Sequence, residues 1–235
     1  MNNDIDFYKK EPALRFLKPY LDIGKSAIDV GAAQGVYALF FSKHSEKVFV
    51  FEPLGPLARN IKKELGDKSE VWNCALSDKA QKNAKFYIPK LNGSHILTRS
   101  SLLEDANKGY STDCLETEVR TLDSFGISNL SVLKIDVEGA EFAVLKGARN
   151  TIKSNMPITL VEIEERHHPG KSMEIVNWVR ALGYDAFVVN EAENLLIKIE
   201  EFDFSKHQNI ENLKHPFEAA KGIYLNNFLF LPQTS

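Results

Sequence analysis

Short segments that are apolar throughout alternate along this chain with segments of helical periodicity. Residues 27–30, 48–51 and 71–76 are predicted strands, and residues 36–44 and 53–64 between them are predicted helices. Strands without polar alternation are typical of a parallel sheet that is covered on both faces. Because crossovers between parallel strands are right-handed, this order predicts an α/β fold with a doubly wound, Rossmann-like sheet and helices on both faces.

The same alternation continues almost to the end of the chain. We predict further helices at residues 7–21, 141–154 and 172–182, and further strands at residues 86–88, 114–122, 131–137, 158–163, 184–189, 195–199 and 227–231. Since no linker interrupts this order, we expect a single domain over residues 1–235, with residues 1–25 as an N-terminal helical extension. Residues 89–113 are polar and rich in Gly, Ser and Asn, which is typical of a functional lid or insertion loop.

Charge and composition exclude several classes of protein. The chain has 29 Lys and Arg against 32 Asp and Glu, a net charge of −3, which disfavours a general nucleic-acid binder. Its two cysteines cannot form a disulfide framework. No run of about 18 apolar residues is present, and the polar N-terminal residues do not resemble a secretory signal. We therefore expect a cytoplasmic protein with no membrane span and no nucleic-acid partner.

A glycine turn follows the first predicted strand. Asp29, Gly31 and Gly35 form a D-x-G-x-x-x-G pattern in which the first glycine permits a sharp turn and the second opens a helix. The spacing differs from the dinucleotide fingerprint G-x-G-x-x-G. A carboxylate before the glycines suits a ligand that carries an ammonium group. The alternative is a tight strand-to-helix turn that holds no ligand.

An acidic residue ends the second predicted strand. Glu52 lies 23 positions after Asp29, where a carboxylate can accept hydrogen bonds from both hydroxyls of a ribose. Pro53 follows directly and fixes the turn that holds this side chain. The alternative is a solvated glutamate at the end of a strand.

These features resemble the class I S-adenosylmethionine-dependent methyltransferases. Four further motifs narrow the resemblance to the FkbM family: NCALSD at residues 73–78, RTLDS at 120–124, LKIDVEGAE at 133–141 and VLKGA at 144–148. The resemblance extends from about residue 27 to residue 230. It implies a seven-stranded sheet with an antiparallel last strand, S-adenosylmethionine as cofactor, and transfer of a methyl group to a hydroxyl oxygen.

The resemblance also implies a set of cofactor contacts. In this sequence they are Asp29, Gly31, Ala32, Gln34, Gly35, Glu52, Pro53, Asn73, Ala75, Leu76 and Asp136. Asp29 is then expected near the methionine end and Glu52 at the ribose. The adenine is expected beside residues 73–76. Asp136 is expected beside the sulfonium and the incoming acceptor.

Acidic and imidazole side chains follow two of the predicted strands, and a hydroxyl acceptor needs a group that removes its proton. Because the ends of parallel strands open on one edge, we expect these groups to converge. The candidate catalytic residues are Asp136, Glu138, Glu162 and His167, with His167 or His168 preferred as the base because imidazole titrates near neutral pH. One alternative is a divalent metal held by Asp136, Glu162 and a histidine. Another is that the acids are solvated or cap helices. No metal is predicted.

The sequence thus predicts an S-adenosylmethionine-dependent O-methyltransferase whose acceptor is a hydroxyl of a small molecule or glycan. A non-catalytic S-adenosylmethionine-binding partner protein is the alternative. A nicotinamide-dependent oxidoreductase is disfavoured by the glycine spacing and by the lack of a Tyr-x-x-x-Lys pair near the strand-end acids. An RNA methyltransferase is disfavoured because no basic stripe is visible.

Overall fold

The computed structural model describes residues 4–213 and 222–233. Among these residues, twelve strands form a sheet of eight strands and a smaller sheet of four. In chain order the strands are β1 (Ser26–Val30), β2 (Lys47–Phe51), β3 (Ser69–Trp72), β4 (Ala75–Leu76), β5 (Gln81–Leu91), β6 (Ser94–His95), β7 (Ser111–Arg120), β8 (Leu130–Ile135), β9 (Ile158–Glu162), β10 (Tyr184–Asn190), β11 (Leu195–Lys198) and β12 (Asn227–Pro232).

Helices cover both faces of the larger sheet. They are α1 (Ile5–Lys10), α2 (Leu14–Leu17), α3 (Val36–His44), α4 (Gly55–Leu65), α5 (Glu141–Gly147), α6 (Arg149–Asn155), α7 (Ser172–Arg180) and α8 (Phe204–His207). Successive residues of β8 show why both faces need cover: Val132 packs with the side chains of α2 and α3, and Leu133 packs with those of α5 to α7. A strand buried on both faces has no polar alternation, which is the pattern that the sequence displays.

The order of the larger sheet is β11-β10-β12-β9-β8-β1-β2-β3. Strands β3, β2, β1, β8 and β9 run parallel, and β12 is antiparallel to both β9 and β10. The predicted doubly wound fold with an antiparallel last strand is confirmed. The sheet has eight strands rather than seven because β11 turns back along β10 and adds an antiparallel edge strand.

The structure divides the predicted strand 71–76 and reshapes the predicted loop 89–113. After Trp72 the chain leaves the larger sheet, and β4 pairs with β7 in the smaller one. Strands β5 and β7 extend into the predicted loop from either side, and two short 3₁₀ helices, Leu97–Arg99 and Glu104–Asn107, occupy its centre. The ribbon formed by β5 and β7 is largely exposed. Its strands therefore have the polar composition that is also typical of a loop.

The predicted N-terminal helix 7–21 is interrupted. Helix α1 ends at Lys10, and Glu11 has φ −135° and ψ 85°, outside the helical region. Pro12 accounts for the break, because proline disfavours helical geometry in the residue before it. The break places Glu11 at a cavity at the edge of the larger sheet. That this extension and the two sheets form a single domain over residues 1–235 stays a prediction.

Gly147, in the last turn of α5, lies against the chain that follows β4. A Cβ at this position would be 2.1 Å from the carbonyl oxygen of Ser77, and backbone cannot move aside as a flexible side chain can. We expect Gly147→Ala to lower the free energy of unfolding by about 1–3 kcal/mol through overpacking. Urea denaturation measures this loss. Gly24→Ala is the control, because its Cβ would only approach the Asp22 carboxylate at 3.4 Å; equal stability of the two variants would contradict the packing argument.

Candidate active site

A cavity of about 280 Å³ lies at the carboxyl ends of β1, β2, β8 and β9. Its floor is the glycine turn after β1, where it is lined by three of the predicted cofactor contacts, Gly31, Ala32 and Gln34. Gly31 has φ +74°, and a Cβ there would lie 1.8 Å from the carbonyl oxygen of Asp136. Only glycine therefore permits the close approach of the β1 turn to the end of β8.

Glu52 stands at the side of the cavity formed by β2. Its Oε2 accepts a hydrogen bond from the backbone N–H of Ala33 at 2.8 Å, and its Oε1 accepts one from Leu54 at 2.7 Å. Each oxygen keeps a lone pair that a ligand hydroxyl can use. Burial raises the pKa of Glu52 to about 7 against these two hydrogen bonds, so hydroxyl donors would stabilise the charged form. The prediction of a ribose-binding carboxylate fits this geometry.

Three of the predicted cofactor contacts do not line the cavity. Gly35 begins α3 with φ +77°, and a Cβ there would meet Ile61 at 2.8 Å, so this glycine serves helix packing. The Asn73 side chain donates to the carbonyl oxygens of Glu52 at 3.0 Å and of Pro53 at 2.7 Å and thereby fixes the β2 turn. Asp29 is fully buried beneath the turn. Pro53, Ala75 and Leu76 do line the cavity.

Asp29 pairs with a lysine of the neighbouring strand. The Asp29 Oδ2 accepts from the backbone N–H of Ala38 at 3.0 Å, and its Oδ1 lies 3.4 Å from the Lys134 ammonium. Lys134 also donates to the Gly31 carbonyl at 3.0 Å and lies 3.4 Å from Asp136 Oδ2. Asp29 therefore lies beneath the turn rather than on the cavity wall, and its place near the methionine end of the cofactor stays a prediction. Asp29 holds Lys134, and Lys134 is the group of the pair that reaches the cavity.

Besides Glu52 and Glu138, three carboxyl groups line the cavity. Asp136 follows β8, Glu162 ends β9, and Glu11 comes from the break between α1 and α2. Burial raises the pKa of Asp136 to about 7, although the Lys134 ammonium opposes the shift. Burial also raises the pKa of Glu162, with Asp136 as the next cause, and that of Glu11. A carboxylate with a raised pKa is a stronger base than an ordinary one.

The two histidines that were preferred as the base lie elsewhere. His167 does not line the cavity; its Nε2 is 3.1 Å from Glu138 Oε2, and its side chain is 3% exposed. His168 is paired with Glu141 at 2.9 Å. Both imidazoles contact carboxylates behind the cavity because the chain after β9 turns back over the start of α5. This geometry gives no support to a histidine base, which stays a prediction. Glu138 lies between the two environments, since it lines the cavity and pairs with His167.

The alternative of a metal held by Asp136, Glu162 and a histidine is not assembled, because no histidine among the described residues lines the cavity. Another group, Glu138, Glu164 and His167, has possible ligand atoms within 4.8 Å of one another. The Arg166 guanidinium already donates to Glu138 at 2.9 Å and to Glu164 at 2.6 Å. The Arg166 guanidinium thus already neutralises the two carboxylates that a metal ion would bind. We therefore interpret Glu138, Glu164, His167 and Arg166 as an ion-pair network.

The segment 89–113 closes the cavity from above. Leu97, Thr98 and Ser100 line it, and Cys74 and Phe86 add to the apolar wall beside Ala75 and Leu76. Ser101 ties this segment to the end of β8, because its Oγ donates to the Glu138 carbonyl at 2.6 Å.

Comparison with known proteins identifies the family. The model of the methyltransferase FkbM domain matches residues 29–186, which is more than half of the chain. The chain belongs to the FkbM methyltransferase family. The methyl group that such an enzyme transfers comes from S-adenosylmethionine, the donor that the sequence motifs imply.

One curated protein and two solved structures are also similar to this chain. The AMB antimetabolite synthetase AmbE of Pseudomonas aeruginosa is 23% identical over 205 residues, but the match covers 70% of this chain and only 10% of that much longer protein. The FkbM methyltransferase of Methylobacillus flagellatus has a TM-score of 0.50 at 16% identity, covering 71% of this chain and 40% of its own. A Streptococcus mutans protein crystallised in complex with SAH has a TM-score of 0.53 at 9% identity, covering 99% of both chains.

Two residues that line this cavity, Lys134 and Glu11, were not predicted from the sequence. Lys134 stands in the motif LKIDVEGAE, and a lysine in an otherwise apolar strand was a signal that it is paired inside the protein. Glu11 precedes Pro12, and the proline was the signal for a break in the helix. Neither signal indicates that the side chain reaches the cavity.

Among the described residues no helix has the length and apolar character needed to cross a bilayer.

Proposed function

We propose that this FkbM-family protein transfers the methyl group of S-adenosylmethionine to a hydroxyl oxygen of a small molecule or glycan. The observation that carries the proposal is that Glu52 and Asp136 line one cavity. The Glu52 carboxylate is suited to bind the hydroxyls of a ribose, and the Asp136 carboxylate is suited to accept a proton. The order β9-β8-β1-β2 places β1, with its glycine turn, between the strands that carry these two side chains. A donor bound along this edge would span the turn.

The residues of the cavity fit the proposed cofactor. Glu52 has a free lone pair on each oxygen for the two ribose hydroxyls. Ala75, Leu76 and Phe86 offer an apolar wall for the adenine, and Lys134 offers a positive charge for the methionine carboxylate. S-adenosylmethionine supplies an activated methyl group, so the protein's main tasks are to position the acceptor and to accept its proton.

Asp136 is our candidate for the proton acceptor. It faces the cavity, and burial raises its pKa to about 7, so a substantial fraction is ionised near neutral pH. A base with a pKa near the working pH combines availability with strength. Lys134, 3.4 Å from Asp136 Oδ2, orients the carboxylate and limits the rise of its pKa. Glu162 lines the same cavity and is the second candidate.

Replacement of Glu52 tests the ribose assignment. Glu52→Gln keeps one acceptor for the backbone N–H groups but removes the charge. Because a hydrogen bond to a charged group contributes about 1.5–3 kcal/mol, we expect roughly 10- to 100-fold weaker binding of S-adenosylhomocysteine. Calorimetric titration measures this change, with the exposed Glu64→Gln as control. The variant should also lose any preference for S-adenosylhomocysteine over its 2′-deoxy analogue; an unchanged preference would remove Glu52 from the ribose.

The function itself is tested in two steps with the full chain. Titration with S-adenosylmethionine, S-adenosylhomocysteine and NAD should give saturable binding of the first two alone. Incubation with a labelled methyl donor and a panel of hydroxylated metabolites and glycans should then give a labelled ether, stable to mild base. Binding without transfer to any acceptor would favour the non-catalytic partner protein, and label in an ester or amine would replace the hydroxyl acceptor.

A further inference from the structure

The segment that precedes β1 is packed against α3. The ring centroids of Phe7 and Tyr8 lie 5.5 Å and 5.7 Å from that of Phe40 on α3. The buried Asp4 carboxylate lies 3.3 Å from His44 at the other end of the same helix. These contacts fix α1 on the sheet and thereby hold the break between α1 and α2 at the edge of the cavity.

Among the described residues of this segment, Glu11 lines the cavity. It lies outside residues 29–186, the part of the chain that the family model matches. Burial raises the pKa of Glu11, and the Lys134 ammonium and a hydrogen bond with Tyr37 oppose this rise. Tyr37 also lines the cavity, and the Lys134 Nζ lies 5.0 Å from the centre of its ring. Glu11 and Lys134 thus bring opposite charges to the same part of the cavity wall.

The proposed methyl donor has a zwitterionic amino acid at one end. Its α-carboxylate and its α-ammonium both lose water when they enter a cavity, and each then needs a partner of opposite charge or a set of hydrogen bonds. Charge-assisted hydrogen bonds are roughly twice as strong as neutral ones, so a neighbouring ammonium and carboxylate on the protein complement such a group. Lys134 supplies the ammonium, and a carboxylate near it is required.

Glu11 is the carboxylate that suits this task. Asp29, the acidic residue of the glycine-turn motif, is fully buried and does not line the cavity. Glu52 is proposed to bind the ribose from the end of β2. Glu138 is paired with the Arg166 guanidinium at 2.9 Å. Glu11 therefore remains as a carboxylate near Lys134 that has no other proposed role.

The proposed chemistry also favours Glu11 over the two carboxyl groups that are candidates for the base. An ammonium bound against Asp136 or Glu162 would stabilise the charged carboxylate and lower its pKa. Either group would then be a weaker base for the proton of the acceptor. A separate carboxylate for the ammonium avoids this loss.

We propose that Glu11 binds the α-ammonium of S-adenosylmethionine while Lys134 binds its α-carboxylate. The segment before β1 then selects a donor with an intact amino acid end. Adenosine derivatives that lack the ammonium lose this contact and bind less tightly. This inference rests on the proposed function, because it takes the cavity to hold the methyl donor.

The test compares S-adenosylhomocysteine with two analogues, one that lacks the amine and one that lacks the carboxylate. Calorimetric titration of the full chain measures the affinity for each. We expect Glu11→Gln to weaken binding of the two ligands that carry the amine by roughly tenfold or more, because the charge that pairs with the ammonium is removed. Binding of the analogue without the amine should stay close to that of the wild type, which also shows that the variant is folded. Asp6→Asn, on α1 with a side chain that is 86% exposed, is the control and should bind all three ligands as the wild type does.

The ligand comparison separates recognition of the ammonium from a structural role. If Glu11→Gln weakens all three ligands equally, or none of them, Glu11 does not bind the ammonium. The same conclusion follows if the wild type binds the analogue without the amine as tightly as S-adenosylhomocysteine. In each of these cases the wild type still binds S-adenosylhomocysteine, and the proposed methyl transfer stands. If the wild type binds none of the three ligands, the proposed function is wrong and this inference with it.

Discussion

Replacement of Asp136 by asparagine is expected to lower the turnover number by roughly 10²- to 10⁴-fold, the usual contribution of a general base. The substitution keeps the shape of the side chain and removes its ability to take a proton. Affinity for S-adenosylhomocysteine should fall much less than turnover, because the proposed loss is that of the group that takes the acceptor's proton. Steady-state rates with an acceptor found by labelling, together with calorimetric titration of the product, measure the two quantities.

The pH dependence gives a second readout for Asp136. The carboxyl group acts as a base only when deprotonated, so wild-type turnover should increase with pH and level off above about 7, where the group is mostly ionised. Asp136→Asn should lose this dependence, while the exposed Asp67→Asn should keep both the rate and the profile. If Glu162→Gln abolishes the profile and Asp136→Asn does not, the base is Glu162. Retention of normal turnover by both variants would remove this edge of the cavity from the proposed chemistry.

Most strands of the larger sheet were predicted correctly because short stretches of sequence are enough to identify them. Apolar runs such as those of β1 and β8 identify strands, and the glycine turn and Glu52 mark the ends of two of them. The edge strand β11 was predicted as a strand, but the count of seven left it out of the sheet, since nothing in residues 195–199 specifies an antiparallel partner. The smaller sheet was predicted only in part. Residues 86–88 and 114–122 were predicted as strands, but the longer extent and the pairing of β5 and β7 were missed, because their polar composition also marks a loop.

The site was predicted less completely because it depends on contacts between distant parts of the chain. Spacing placed Asp29 at the exit of β1 but could not show which way its side chain points. The parallel register of β1 and β8 sets Asp29 directly beside Lys134, so the carboxylate meets an ammonium inside the protein rather than a ligand. Likewise, the position of His167 after β9 suggested a base, but the backbone turns it toward Glu138. Such pairings follow from tertiary structure, not from the order of residues.

The pair of Lys134 and Asp29 leads to the largest expected effect on stability. Both side chains are buried, at 6% and 0% exposure, and their charged atoms are 3.4 Å apart. Lys134→Met would leave the Asp29 carboxylate without its cation and would also remove the hydrogen bond to Gly31. Removal of one partner of a buried pair usually costs about 3–5 kcal/mol, because the other charge remains uncompensated. We expect a loss of this size in the free energy of unfolding, measured by urea denaturation.

A second substitution, at Asp29, tests whether the uncompensated charge causes this loss of stability. In the double variant Lys134→Met with Asp29→Asn, position 29 no longer carries a buried charge, and its amide oxygen can still accept from Ala38 N–H. Most of the lost stability should therefore return. Lys47→Met is the matched control: Lys47 lies on β2 and pairs with Glu70, but both side chains are more than a third exposed, so its loss should cost about 0–1 kcal/mol. If Lys134→Met is no more harmful than Lys47→Met, or if Asp29→Asn brings no recovery, the pair does not hold the glycine turn. Since Lys134 also lies beside Asp136, the stable double variant should still have reduced turnover, which separates its support of the fold from its support of the carboxylate.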